Sequence, residues 1–523
     1  MIESDVLVVG GGNAGFAAAL AAAERGRKVV LLEKAREAAS GGNSFYTAGA
    51  TRISHDGLQE LIEFVEPDER HAASEVPAYT AAEYLADLSK VSEGRNDPEL
   101  SAVLVSESNP TLRWLQGMGL KYRLMYERQA YRTEDGGYLF WGGLHVGNVG
   151  GGKGLMADHR AAAERMGVEV IYDCAATGLI QEDGRVRGGK GLMADHRAAA
   201  ERMGVEVIYD CAATGLIQED GRVRGVRYRT STGEGELRAE SVILASGGFE
   251  ASPELRRQHL GEGWQNAKVR GTPGNTGEMI LAAVAAGAAR GGDWSTCHSV
   301  AWDAWHPENE SNLELTNQLT RGGYPLGIVV NSEGKRFVDE GADYRNYTYA
   351  KYGRDILAQP GSVAFQIFDA SSRAMLRAEE YDMPGVSVVT APTLAELAQK
   401  AGISPEGLEE TVQGFNASIT EGAPFDPNVK DGRRADTRPP KSNWARSIST
   451  GPFYAFPVTC GITFTFGGLK TDTWGRVLSE DAEPLEGLYA CGEALGGLFS
   501  GNYPGGSGLA AGAVFGRRAG SIA

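Results

Sequence analysis

Asp5-Val6-Leu7-Val8-Val9-Gly10-Gly11-Gly12-Asn13-Ala14-Gly15 is the stretch that decides the fold. Its short apolar run, closed by glycine, predicts a strand buried on both faces, as in a parallel sheet. The Ala-rich residues that follow to Arg25 predict a helix ended by Gly26. Lys28-Val29-Val30-Leu31-Leu32-Glu33 then predicts a second strand that finishes in an acid. Within the G-x-G-x-x-G, Gly10 permits the tight turn, Gly12 lets the backbone approach a pyrophosphate, and Gly15 allows close helix–strand packing. Asn13 and Ala14 open the helix, whose first amides and positive dipole end suit phosphates. Glu33, 18 residues beyond Gly15, is placed to accept hydrogen bonds from ribose hydroxyls. A lone G-x-G-x-x-G is a weak signal, equally served by a packing loop. Strand, helix, second strand and terminal acid in register make it a Rossmann-type dinucleotide site.

The rest of the composition agrees. The chain has 523 residues with 42% hydrophobic and 23% charged, a globular balance, and its length suggests two or three domains. Glycine supplies 72 of the 523 residues, about twice the usual ~7% share. That surplus marks tight turns and close backbone approach to a ligand. A net charge of −17 repels a phosphate backbone, which argues against nucleic acid as a partner. No apolar run reaches membrane-spanning length, and the acidic start Met1-Ile2-Glu3-Ser4-Asp5 does not read as a signal peptide. A cytoplasmic location follows as the expectation. The five cysteines (174, 211, 297, 460, 491) form no CxxC and no metal spacing, so they read as buried reduced thiols.

Which dinucleotide is bound is decided elsewhere in the chain. A second fingerprint, as a pyridine-nucleotide flavin reductase would need, is missing downstream. Glycine-rich segments instead recur along the whole sequence. They include Gly41-Gly42-Asn43-Ser44, Gly49, the Gly247 segment Ala245–Phe249, Asn275-Thr276-Gly277-Glu278, and Gly487–Glu493 with Gly492 and Glu493. Together with Lys34, they suit a long extended ligand better matched by FAD than by NAD.

Residues 151–187 and 188–224 are identical at all 37 positions. Solenoid repeats need at least three units and drift in sequence, so two perfect copies read as a tandem duplication. The unit predicts a glycine-rich loop, an amphipathic helix, a strand, and an Asp-Gly turn into a further strand. One strand position cannot hold both copies, so one copy is expected to pack and the other to be extruded, partly or wholly. Removing one leaves 523 − 37 = 486 residues.

These segments, in this order, resemble the flavoprotein subunits of the fumarate reductase/succinate dehydrogenase family. The resemblance implies that GGNS covers the flavin near N5 and that Gly492-Glu493 meets the ribityl chain. It also implies that Ser507-Gly508-Leu509 opens a helix facing the flavin N1/O2 edge, where the dipole favours the reduced ring. The stretch before GGNS holds no His, so FAD should be non-covalent. Gly334–Gly353, Thr459–Gly468 and Asn502-Tyr503-Pro504-Gly505-Gly506 further resemble the FAD-dependent tricarballylate dehydrogenases. That branch implies desaturation of a tricarboxylate to cis-aconitate. A related cobalamin-pathway flavoprotein shares much of the pattern.

The same resemblance points to Arg345, after the Arg336-Phe337-Val338-Asp339-Glu340 string, as the proton-transfer residue; a carboxylate-binding or ion-pairing arginine is the alternative. A guanidinium is effectively never deprotonated on its own, so Arg345 would have to act within a relay. The family's outer relay arginine matches Arg321, but its glutamate falls at Gln318, which cannot ionise; Asp343, Tyr344 or a His is left to take its place. Two expected carboxylate clamps are replaced by Phe464 and Tyr503. His298, His306, Arg321 and Arg345 are the remaining candidates to bind an anion, each His being equally a structural residue. A string like Tyr503-Pro504-Gly505 occurs in 3-ketosteroid dehydrogenases, which gives Tyr503 a second role as a ketone-polarising phenol.

The expectation is an α/β Rossmann-type FAD-binding domain from 1–297 and 464–523, with an α+β capping domain inserted at 298–463 and the substrate between them. The activity expected is hydride transfer from a polycarboxylate C–H to flavin N5 with loss of the neighbouring proton. Without iron–sulfur or haem motifs, reduced FAD would pass electrons to a membrane partner or a soluble carrier. The alternative of another class is a flavin electron carrier without catalysis.

Overall fold

A computed structural model describes residues 3–133, 135–172, 180–181, 211–219, 222–230, 233–307, 311–420, 424–427 and 429–523. They form two compact units. One comprises Met1–Leu260, Thr272–Cys297 and Phe464–Ala523, the other Gly261–Gly271 and His298–Thr463. The segment 261–271, expected in the cofactor domain, belongs instead to the second unit. The reason is strand pairing: Lys268 and Val269 lie parallel to Gly461 and Ile462, and the Arg270 amide donates to the Ile462 carbonyl at 2.7 Å.

In the first unit, β1 (Glu3–Val9) leads through α1 (Asn13–Glu24) to β2 (Val29–Leu32). Val6–Val9 pair in parallel with Val29–Leu32 on one side and with Ser241–Leu244 on the other. All four residues of β2 and the run Val6–Val9 are buried, as a strand covered on both faces requires. Ten consecutive residues of α1, Asn13–Ala22, are buried as well. That burial explains why the helix is built of Ala and Gly, because larger side chains would hold its neighbours away.

The remaining sheet strands are β3 (Glu169–Ile171), β4 (Ile180–Gln181), β5 (Cys211–Glu219), β6 (Arg222–Thr230), β7 (Gly233–Leu244) and β8 (Pro484–Ala490). Their order is β4-β5-β6-β7-β1-β2-β3, with β8 against β7. Between β2 and β3 in the chain comes α2 (Gly151–Arg165). The last helix, α3 (Ser507–Ile522), lies against α1 through glycines spaced four apart. A Cβ on Gly516 would sit 2.4 Å from the Ala14 carbonyl oxygen, and one on Gly520 2.1 Å from that of Ala18.

The described residues draw on both copies of the duplication. The first copy supplies α2 and β3, and the second supplies β5 and the start of β6. A strand from each copy is in the sheet: β4 runs parallel to β5 with Ile180 opposite Ile217 and Gln181 opposite Gln218, each residue beside its own duplicate. An open sheet edge accepts an added strand, which is why Ile180–Gln181 can pair there. The question of extrusion for 182–210 falls outside the described residues. Excising 174–210 removes 37 residues and, among the described elements, only β4. The resulting 486-residue chain should keep its FAD, and its melting temperature should move by no more than about 2–4 °C, the shift expected of ~1 kcal/mol. Calorimetry of both chains decides this; loss of FAD from the shorter chain would show that the second copy has become structural.

The second unit has a sheet in the order Lys268–Val269, Phe453–Leu469, Val363–Phe368, Ile328–Asn331. Ile328, Val330, Phe365 and Ile367 pack on Leu397, Leu408, Val412 and Phe415 of two helices, Leu394–Ala401 and Pro405–Ala417. The Thr393 and Ser404 side chains accept from the Glu396 and Gly407 amides at the two helix starts, satisfying first-turn donors. The alternate residues Val329 and Ala364 pack with Tyr324, Tyr352 and Ile356, on the sheet's other face. Among the described residues no helix is long and apolar enough to cross a membrane.

Candidate active site

The fingerprint loop is held by contacts from distant parts of the first unit. Gly10 has φ +109°, and a Cβ there would meet the Ala245 carbonyl oxygen at 2.3 Å; on Gly15 it would lie 1.9 Å from the Gly10 oxygen. Only glycine serves at either position. Gly12 is different, since a Cβ there meets nothing nearer than 3.6 Å; it keeps a face of the loop open. The Asn13 amide donates to Ser44 Oγ at 3.1 Å, and its side-chain Nδ2 donates to the Leu509 carbonyl at 2.9 Å. His159 Nε2 lies 2.9 Å from Asn13 Oδ1. Burial pulls the His159 imidazole down to about 3, so it stays neutral and can serve Asn13 as a donor.

Glu33 accepts from the Gly11 amide at 2.9 Å and the Ala35 amide at 2.7 Å. Its burial pushes the carboxyl pKa up, against those amides. Lys34 Nζ donates to the Gly274 carbonyl, to Thr276 Oγ1 at 2.6 Å and to Glu278 Oε1 at 2.8 Å, so three of the sequence candidates form one cluster. Gly247 carries φ +74°, and a Cβ there would overlap the Asn275 amide at 2.3 Å. A Cβ on Gly492 would lie 2.7 Å from the Ala14 methyl, and one on Gly49 2.8 Å from Gly151.

Asn43 follows the left-handed Gly41 and Gly42. Its Nδ2 donates to Glu250 Oε1 at 2.7 Å and its Oδ1 accepts from the Thr272 amide at 3.0 Å. Glu493 Oε1 accepts from the Thr465 amide at 2.7 Å. Ser507 opens α3 with no side-chain cap, and its Oγ accepts from the Tyr84 hydroxyl at 3.0 Å. The buried Arg52 donates to the Gly505 carbonyl at 2.9 Å just ahead of it. Gly508 and Leu509 complete that first turn. Two helix starts without side-chain caps leave first-turn amides for a ligand. With the open face at Gly12 and the acid at Glu33, the residues present fit FAD.

In the second unit, Arg345 and Arg321 are brought to the same carboxyl-bearing residue, Glu380. Arg345 Nη1 donates to Glu380 Oε1 and Oε2 at 2.8 and 3.1 Å. Arg321 reaches only the Glu380 backbone carbonyl, at 2.8 Å, and its charge is met by Asp303 Oδ2 at 2.6 Å with neither side chain exposed. Arg321 is therefore a buried ion pair, not an outward anion clamp. The Gly322 amide donates to Glu380 Oε2 at 3.0 Å. A Cβ on Gly322 would lie 2.3 Å from Arg345 Nη1, which explains the glycine after Arg321. Burial works against the Arg345 charge, but Glu380 outweighs it and holds the guanidinium pKa above its ordinary value.

The other candidates have surroundings of their own. His298 is fully buried with its ring edge-on to Tyr349 at 5.1 Å. Burial, helped by Arg270, keeps its pKa well below the usual imidazole value, so it is a neutral group. His306 is seen through its backbone: its amide donates to Asp303 Oδ1 and its carbonyl accepts from Lys268. Tyr503, in the first unit, stands edge-on to Phe464 at 5.1 Å and Phe499 at 5.5 Å. Gln318 meets Arg321 through its carbonyl at 2.9 Å.

Glu380, Asp303, Glu250 and His159 escape a reading of the sequence. Glu380 is one of three acids within Glu379–Asp382, and nothing local distinguishes it. The one usable signal was Gly322-Gly323, two glycines marking a close approach beside Arg321.

A family model described as an FAD binding domain matches residues 5–509. The chain is 29% identical over 530 residues to a fumarate reductase (cytochrome) of Shewanella frigidimarina, covering 99% of this chain and 76% of that protein. It is 28% identical to a 3-oxosteroid 1-dehydrogenase of Mycolicibacterium smegmatis, covering 96% of this chain and 94% of the relative. The solved open conformation of a flavocytochrome c3 fumarate reductase matches with a TM-score of 0.69 at 25% identity, over 99% of this chain and 78% of that one.

Proposed function

The chain belongs to the FAD binding domain family and is an FAD-dependent oxidoreductase of the fumarate reductase type, acting on CH–CH or C=C bonds; on that premise we propose that it desaturates a small polycarboxylate, tricarballylate to cis-aconitate in the first instance. The observation that carries the reading is the Arg345–Glu380 pair. FAD, when bound, supplies the hydride acceptor. The proton on the neighbouring carbon falls to this chain's own residues. A carbon next to a carboxylate holds its proton tightly, so the charge that develops as it leaves must be stabilised by cations. Arg345 supplies that charge, and it takes up the substrate's proton as it passes one of its own to the Glu380 carboxylate in concert, since a guanidinium does not give up its proton first. On this reading Glu380 takes the part that Gln318 cannot play, from a different segment of the chain. Neutral His298 and the half-buried Arg270 line the same unit, and we assign Arg270 a carboxylate contact in place of the clamps lost at Phe464 and Tyr503.

A second reading rests on Tyr503. Its nest of Phe464 and Phe499 suits an apolar ketone as readily as a carboxylate, as a 3-ketosteroid would require. Anaerobic mixing with tricarballylate, succinate, citrate analogues and a 3-ketosteroid separates the two. Bleaching of the flavin band by the tricarboxylate is the expected result; bleaching by the steroid alone overturns the acid reading. The acceptor that re-oxidises FAD, a membrane partner or soluble carrier, follows from the same assay with quinone and dye.

A further inference from the structure

One hydroxyl hydrogen at the start of α3 has no acceptor within the protein's own hydrogen bonds. Ser507 is fully buried, and its amide donates to the Pro504 carbonyl at 3.1 Å. The Tyr84 hydroxyl donates to Ser507 Oγ at 3.0 Å, so Ser507 keeps a hydrogen of its own to give. Among the described residues no group accepts it. The next two amides of the turn, Gly508 and Leu509, likewise have no acceptor among those residues. A buried donor left without an acceptor is costly, and a ligand that accepts the hydrogen removes that cost. The turn has room for one: a Cβ on Gly508 would meet nothing nearer than 3.9 Å, at the rings of Phe464 and Tyr503.

Tyr84 is held in place from several sides. Its helix, Ala81–Val91, begins with a capping box. Thr80 Oγ1 accepts from the Glu83 amide at 3.2 Å, and Glu83 Oε2 accepts from the Thr80 amide at 2.7 Å. The Tyr84 ring is unexposed, 5.6 Å from the ring of Tyr79 and 5.9 Å from the Arg52 guanidinium that lies over it. Arg52 also donates to the Tyr79 hydroxyl at 2.8 Å and to the Gly505 carbonyl at 2.9 Å, and its amide donates to the Gly506 carbonyl at 3.2 Å. One guanidinium thus fixes both the phenol ring and the turn that carries Ser507. Its charge is met by Asp87, which accepts the Tyr79 hydroxyl at 2.6 Å as well.

We propose that Tyr84 is a positioning residue for the cofactor: by donating to Ser507 Oγ it directs the Ser507 hydroxyl hydrogen onto the flavin ring of bound FAD. A hydroxyl is a rotor with one hydrogen and two lone pairs. Once one lone pair is taken by the phenol, the hydrogen must point away from Tyr84. A donor held against the ring favours it after reduction has placed negative charge there. The inference rests on the FAD assignment and is independent of the substrate.

Tyr84→Phe tests it, because the change removes a single oxygen. The flavin midpoint potential is measured against a reference dye in the FAD-loaded parent, Tyr84→Phe, Ser507→Ala and the double variant. Ser507→Ala should lower the ratio of reduced to oxidised flavin by about 10-fold, the worth of one hydrogen bond to a charged group, or about 30 mV for a two-electron couple. Tyr84→Phe should lower it by part of that amount. The double variant should match Ser507→Ala, because Tyr84 acts only through Ser507. A phenol with a merely structural role would affect folding or FAD retention and leave the potential where it was. Should Tyr84→Phe fail to fold, Tyr84→Met fills the site without a hydroxyl and gives the same readout. An unchanged potential in either single variant, or additive shifts in the double variant, overturns the proposal.

Discussion

Arg345→Ala should lose about 10²–10⁴-fold in dye-linked turnover, the usual worth of a positioned acid–base group, while binding FAD as before. Arg345 sits in the second unit and meets Glu380 with two bonds, so its removal leaves the fingerprint loop untouched. Glu380→Gln should be nearly as damaging, since it takes away the carboxylate that receives the proton and leaves Arg345 charged with nowhere to pass it. The two changes together should cost little more than the worse of them, because groups that act as a unit are not additive. Arg345→Lys should recover only part of the activity: an ammonium restores the charge and can meet the two Glu380 oxygens that Nη1 alone meets, but it lacks the second guanidinium nitrogen through which a proton enters as another leaves. The same set read by flavin bleaching on mixing with substrate isolates the reductive half. Near-normal bleaching in Arg345→Ala would remove that residue from the chemistry.

Asp303→Asn should unfold the second unit far more easily than the parent, by about 3–5 kcal/mol, because it leaves the Arg321 guanidinium buried without its counter-charge. The loss compounds, since the Asp303 carboxyl also accepts from the Ser387, Trp305 and His306 amides. Burial works to raise the Asp303 pKa, yet Arg321 and the Ser387 contact hold it below the ordinary aspartate value. A depressed carboxyl stabilises the folded state above its unfolded pKa, near 4, and that contribution is lost as pH falls through the lower folded value. The parent should therefore lose stability steeply on acidification below about pH 4, and the variant should show a flatter acid limb. Urea denaturation at a series of pH values reads both effects. The pair Asp303→Leu with Arg321→Met should restore most of the stability, as swapping a whole buried ion pair for apolar packing does. Failure of Asp303→Asn to destabilise would mean the ion pair is open to water.

The sequence was most legible where residues act locally. Gly10, Gly12, Gly15 and Glu33 declared a strand–loop–helix–strand unit, and β1, α1 and β2 occur as their pattern requires. Lys34, Thr276 and Glu278, named separately, meet in one cluster. Arg345 was found through the Arg336–Glu340 string, which turns out to be a buried ion pair of its own and so marks the site without belonging to it. What stayed hidden depends on contacts between distant segments. Asp303 and Arg321 are 18 residues apart, Arg345 and Glu380 35, and Asn43 and Glu250 207; no periodicity links such partners. Of the repeat, the sequence did not foretell that Ile180–Gln181 would pair at the sheet edge with its own duplicate.

Asn13 draws on Leu509, 496 positions away, and α1 takes its packing from the Gly516 and Gly520 turns of α3. Every residue of the second unit is threaded between them. A growing polypeptide therefore finishes the inserted unit before the nucleotide loop has its closing partner, and contacts of such long range come late in folding. Cofactor capture is accordingly a terminal event in biogenesis, and a chain stopped anywhere short of α3 would emerge with a formed guest and an unclosed host.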